Sequence, residues 1–126
     1  MPVTPSDFLS IASDTPAPTE MLIRNAVSRA YYSGYLHVQQ KVSALKLSLP
    51  RATGGVHARL IDALNKGACS SLNNGLSHDV QLEIAGLLSL SKQLRTKADY
   101  KINTTITNTD KATAIANAQA VFKLLP

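Results

Sequence analysis

Cysteine occurs once, at Cys69, and tryptophan not at all. A single thiol closes no internal disulfide, so packing must hold the fold, and a reducing, cytoplasmic setting is expected. One cysteine and three scattered histidines, His37, His57 and His78, do not supply the ligand set of a zinc site, so neither metal nor cofactor is expected. Long apolar runs are missing too. The longest, Ile84 to Leu90, is broken by Gly86 and Ser89 and falls far short of a membrane span. No basic segment followed by an apolar stretch marks a signal peptide at the N-terminus. Glycine is sparse, and Gly54-Gly55 has neither the spacing nor the following lysine of a phosphate-binding loop. No serine sits in a Gly-x-Ser-x-Gly setting. Cys69, in a polar connector, reads as a buried or bystander thiol rather than a nucleophile.

Acid is absent from the whole stretch between Glu20 and Asp62, while Arg24, Arg29, Lys41, Lys46, Arg51 and Arg59 fall inside it. The net charge of +5 is therefore unevenly laid out. If those side chains reach solvent, they attract phosphate, most simply RNA. The other reading is a solubilising face with partners elsewhere. With 126 residues, 44% hydrophobic and 17% charged, the chain is long and apolar enough for one globular domain over residues 1–126.

The hydrophobic spacing predicts helices throughout. Thr4 or Ser6 caps a short first helix carrying Phe8, Leu9 and Ile11, and the prolines between Asp14 and Pro18 end it. A helix from Thr19 to about Leu47 follows, with Ile23, Val27, Ala30, Tyr31, Gly34, Val38, Val42 and Leu45 on one stripe. Arg29, Tyr32, Ser33 and Leu36 fall on the opposite face. Small Ala30 and Gly34 suit close approach of another helix, and the face of Tyr32 and Leu36 suits a second protomer. After a loop over Pro50–Gly55, a helix runs from Val56 to about Lys66, with Gly67 as its C-terminal stop. The connector from Ala68 to Leu76 contains Asn73-Asn74-Gly75. Ser77 or His78 opens a second long helix to Tyr100, with a stripe of Val80, Ile84, Leu87, Leu88, Ser91, Leu94 and Ala98. The Thr-rich segment from Lys101 to Asn108 ends it, and Thr109 or Asp110 caps a last helix with Ala114, Ile115, Ala118, Val121, Phe122 and Leu125. Four to five helices, two of them long, predict an all-α antiparallel up-down bundle.

Two segments carry the chemistry. Tyr31, Tyr32 and Tyr35, three of the four tyrosines, fall within five positions beside Arg24 and Arg29. Leu94-Arg95-Thr-Lys-Ala98-Asp99-Tyr100 closes the second long helix, where Arg95 and Asp99 share a face. Asp99 is expected to form a structural ion pair or hydrogen bond, with Arg95 or across to Arg24, Arg29 or a tyrosine of the first long helix. Alternatively it orients an arginine that grips a phosphodiester while a nearby tyrosine stacks a base.

Ser28-Arg-Ala-Tyr-Tyr-Ser-Gly-Tyr-Leu-His37, followed by Leu94-Arg-x-x-Ala-Asp-Tyr100, resembles the HEPN superfamily, in particular its small bacterial members. The resemblance covers about residues 5–125. It implies a helical bundle that forms a homodimer and acts on RNA as a metal-independent endoribonuclease, or a degenerate relative of one, in a toxin–antitoxin or phage-defence system. It also implies a different class of role, a non-catalytic partner of a nucleotidyltransferase or other effector protein. A third reading is nucleotide or small-ligand binding between the long helices. In the family an arginine is followed, after four to six intervening residues, by a histidine, and the two protomers bring these pairs together. Arg95 matches the arginine, but Tyr100, Lys101 and Ile102 stand where the histidine belongs. The catalytic candidates are therefore Arg95 with Tyr100 or His57, and the RNA or phosphate contacts Arg24, Arg29, Tyr32 and Tyr35. His37 is a further substitute for the missing histidine, although a core or interface role suits both it and His57, and His78 is expected at the surface.

Overall fold

The computed structural model describes residues 3–14, 16, 18–44, 55–70 and 76–126. Five helices account for most of them: α1 (Pro5–Asp14), α2 (Glu20–Ala44), α3 (Val56–Asn65), α4 (His78–Tyr100) and α5 (Asn108–Leu124). No strand occurs among the described residues. Leu45 to Leu47, Pro50 to Gly54 and Asn73-Asn74-Gly75, and with them Lys46 and Arg51, lie outside the described residues.

Local chemistry sets the helix ends. Pro5 occupies the first position of α1, where its missing N–H costs nothing, and the Thr4 amide and hydroxyl both donate to the Asp7 carboxylate at 2.7 and 3.1 Å. The Leu22 amide donates to the Thr19 hydroxyl at 3.3 Å, and the Val80 amide to the Ser77 hydroxyl at 3.3 Å. Gly67 follows α3 at φ +67°, a left-handed turn in which the Ala68 amide reaches back to the Ala63 carbonyl at 3.0 Å. At α5 the expected caps, Thr109 and Asp110, are corrected by one turn. Thr107 is the cap, and Asp110 returns its carboxylate to the Thr107 amide in a reciprocal box.

α2 is the central helix, packed by α1, α4 and α5. Arg24 near its start meets the end of α4, and Gly34 further along faces Leu88, so α2 and α4 run antiparallel. Glu20 accepts from the Ile106 amide and His37 meets the Leu125 carbonyl, so α2 and α5 run parallel. α3 is a short insertion against α4. The α2 stripe from Ile23 to Val42 is buried as its spacing requires. The opposite face of α2 is not open, however. Ser33 is fully buried, donating to the Ala30 carbonyl at 2.7 Å, and Tyr32 and Leu36 pack against the molecule's own core. A helix with neighbours on three sides buries residues that a two-sided wheel places at the surface.

A buried glutamine ties the α3–α4 connector down. The Cys69 amide donates to Gln81 Oε1 at 2.9 Å, while Gln81 Nε2 donates to Ser70 Oγ and the Leu76 carbonyl, both at 2.9 Å. Cys69 is buried in the core and burial pushes its thiol pKa up, which keeps it protonated and unreactive.

Candidate functional site

α2, α3 and α4 converge on one cluster. α2 delivers Tyr31, Tyr32 and Tyr35, whose spacing places the rings around a single turn and its successor. α3 begins at Val56, so its second residue, His57, projects from the first turn toward those rings. His57 lies flat on Tyr35, centroids 3.7 Å apart and planes 3° apart, and meets the edge of Tyr32 at 5.8 Å. Its Nδ1 is hydrogen-bonded to the Tyr31 hydroxyl. α4 contributes Arg95, whose guanidinium lies 5.3 Å from the Tyr31 ring centroid, 5.7 Å from Tyr32 and 5.8 Å from Tyr100.

The electrostatics follow from burial and from these cations. Desolvation lowers the His57 pKa, and the charges of Arg95 and Lys92 lower it further. The imidazole is therefore neutral at physiological pH. Burial raises the Tyr31 pKa against the opposing pull of Arg95, so Tyr31 keeps its proton. Burial also raises the Tyr35 pKa, with Arg59 close enough to oppose it.

Arg95 is only 12% exposed, and its one carboxylate, Asp99, stands 3.9 Å away. Arg95 Nε is buried without a hydrogen-bond partner among the described residues, and so is Arg59 Nε. Unpaired buried donors cost free energy. Arg95 is near enough to His57 to depress its pKa, and Arg59 near enough to Tyr35 to act on its hydroxyl.

The sequence-derived candidates divide. Arg95, Tyr32, Tyr35 and His57 come together, and Tyr100 joins them from the rim, 69% exposed. Arg24 does not join them. It is buried, and its guanidinium donates to the carbonyls of Lys97, Ala98, Lys101 and Thr104, closing the end of α4. Arg29 is exposed on the α1 side of α2, 5.9 Å from the Phe8 ring. With Arg24 buried, Arg29 beside α1, Lys41 exposed at the end of α2 and Arg59 beside Tyr35, the described cations of the acid-free segment do not form one face. Asp99 pairs with Arg95 on its own helix and accepts from Ser28 Oγ at 3.1 Å, rather than from an arginine or tyrosine of α2. His37 stacks on Phe122 at 4.2 Å and meets the Leu125 carbonyl, away from the cluster. His78 is exposed, 3.3 Å from the Asn65 carbonyl. Sequence reasoning missed Lys92, although it lies three residues before Arg95 on the same helix, and missed Tyr31 as the partner of His57 because its place in the apolar stripe marked it as core alone. No group of three His, Cys, Asp or Glu side chains assembles among the described residues. Comparison with protein-family models, with curated proteins and with solved structures finds no match.

Proposed function

We propose that this chain is a HEPN-type RNA-directed protein whose working centre is Arg95 with His57, the histidine of α3 replacing the one absent after Arg95. The observation that carries this reading is their juxtaposition within one chain: a half-buried arginine whose buried Nε has no partner among the described residues, beside a neutral, partly accessible histidine held by Tyr31. The arrangement suits metal-independent cleavage of RNA. The 2′-hydroxyl attacks the adjacent phosphorus, the bond to the 5′-oxygen breaks, and a cyclic phosphate forms. Arg95 compensates charge on the non-bridging oxygens. His57 takes the 2′-hydroxyl proton at Nε2 and returns it to the departing 5′-oxygen, while Nδ1–H donates to the Tyr31 hydroxyl oxygen and keeps the ring oriented in both protonation states. Tyr100, exposed at the rim with its ring 5.8 Å from the Arg95 guanidinium, is a stacking surface rather than the acid or base. Service in a toxin–antitoxin or phage-defence system rests on the sequence resemblance alone.

The test is incubation of the purified protein with total RNA and with tRNA, without added metal. Arg95→Ala and His57→Ala should each lower cleavage by about 100-fold or more, and Tyr100→Phe should retain it. Loss of cleavage in Tyr100→Phe would return the role to Tyr100. A folded wild-type protein that cuts neither RNA would favour the non-catalytic partner of an effector.

The same reading includes a homodimer, through a different surface from the one expected. Leu82, Gly86, Leu87 and Leu90 of α4 face Ala120 and Leu124 of α5 across an open apolar groove, bordered by Glu83 on one side and Lys123 on the other. A two-fold axis through that groove sets Glu83 of each copy toward Lys123 of the other.

A further inference from the structure

The outward face of α4 carries a second feature, a groove of about 640 Å³ lined by Lys92, Lys97 and Lys101 together with Ser89, Thr96 and Thr104. No carboxylate lines it, and among the described residues none of the three lysines is held in an ion pair. Asp99, the nearest acid on the helix, is turned to Arg95 and Ser28. Two residues relate the groove to the proposed centre. Lys92 belongs to it and also acts on the charge state of His57. Tyr100 stands at its far end with an exposed ring 5.8 Å from the Arg95 guanidinium. Arg24 braces the same end from beneath, through the carbonyls of Lys97, Lys101 and Thr104.

We propose that this face of α4 is a track for the backbone of a single-stranded RNA leading into or out of the Arg95–His57 centre, with Tyr100 stacking one base. The inference rests on the RNA reading above and adds to it the strand's path. Lysines and hydroxyls repeating along one helix face match a chain of phosphates, and an exposed aromatic ring selects an unpaired base over a duplex. Ser89 to Lys101 spans about 18 Å of helix, room for about four nucleotides, the lower end of single-strand site sizes. An acidic peptide would find the lysines but no use for the ring.

Fluorescence anisotropy with labelled oligouridines of increasing length tests it, using the full chain. Affinity should rise with length to about four or five nucleotides and then level off. Lys97→Glu combined with Lys101→Glu, checked for folding by circular dichroism, should reduce the slope of log affinity against log salt by about 1.4, two contacts at about 0.7 each. Tyr100→Ala should weaken binding about tenfold. Unchanged affinity and slope in the double variant would overturn the track, as would equal displacement of the RNA by oligoglutamate. The two readings separate cleanly. RNA cleavage with binding indifferent to Lys97 and Lys101 removes the track and leaves the centre, whereas length-dependent binding with no cleavage leaves the track and removes the centre.

Discussion

At the scale of single residues, Arg24 and Asp99 exchange the importance their sequence context suggests. Asp99 looks like the register-setting carboxylate of the second motif, yet its side chain is 30% exposed and 3.9 Å from Arg95. Pairs of this kind contribute about 0 to 1 kcal/mol. Arg24 looks like a surface cation and instead donates to four carbonyls where α4 ends, those of Lys97, Ala98, Lys101 and Thr104. Arg24→Ala should therefore cost about 3 kcal/mol, since bonds to a charged donor are strong and their loss leaves acceptors unpaired. Asp99→Ala should stay within about 1 kcal/mol of wild type. Urea unfolding of both variants checks the order, and the reverse ranking would refute it. His57 supplies a pH dependence. Its folded pKa is lowered, so below about 6.5 the unfolded chain takes up the proton first. The stability contributed by neutral His57 is thus present above that pH. It is lost as pH falls from there through the folded pKa. His57→Phe, which keeps the stack on Tyr35, should flatten the dependence between pH 7 and 5. A bound phosphate should push the His57 pKa back up, so anion binding should take up protons, which calorimetry in buffers of different ionisation heat would detect.

At the scale of elements, two glycines make opposite predictions. A Cβ at Gly34 would meet Leu88, Ala118 and Val121 at 3.7 to 3.8 Å, ordinary contact, so Gly34→Ala should stabilise α2 by about 0.5 to 1 kcal/mol. A Cβ at Gly67 would stand 3.0 Å from the His78 ring in a left-handed backbone, so Gly67→Ala should cost about 1 to 2 kcal/mol. Thermal unfolding that shifted both melting temperatures in one direction would contradict the pair. Why the helices themselves were legible follows from the same physics. Val80 to Ala98 repeats its apolar positions every three or four residues, and Ser77 and Gly67 punctuate the chain with residues whose chemistry suits helix ends. Thr107 was missed because three residues in a row, Thr107, Asn108 and Thr109, all suit a cap, and the Asp110 carboxylate decides among them only in three dimensions. The crowding of α2 was also hidden. Periodicity reveals one buried stripe, but the number of neighbours a helix has is a tertiary fact, and so Ser33, Tyr32 and Leu36 were read as outward. The tyrosine cluster and Arg95 were visible as unusual residues, whereas the bond between Tyr31 and His57 depends on where α3 folds back.

At the scale of the whole molecule, the position of the proposed centre bears on how two copies would associate. In the family that the sequence resembles, the two protomers complete a site together. Here His57 and Arg95 converge within one chain, so association need not bring two centres into contact. The wheel of α4 separates the functions accordingly: Leu82, Gly86 and Leu90 open toward the groove with α5, while Arg95 turns toward the tyrosines of α2. Leu82 and Leu90, about two turns apart on α4, are 44% and 56% exposed and line one apolar groove, and exposed apolar strips of this kind mark contact surfaces. Gly86, with no atom within 4 Å of a Cβ built on it, lets a second helix come close. The expected outcome is a symmetric dimer in light scattering at tens of micromolar, reduced to a monomer by Leu90→Glu, which buries an unpaired charge at the contact. Glu83→Lys should weaken it through repulsion with Lys123, and Glu83→Lys combined with Lys123→Glu should restore it, which an incidental surface charge would not do. Tyr32→Ala should leave the dimer intact, because Tyr32 packs inward. A wild-type protein that stays monomeric would remove the dimer altogether, and a dimer lost in Tyr32→Ala but kept in Leu90→Glu would return the interface to α2.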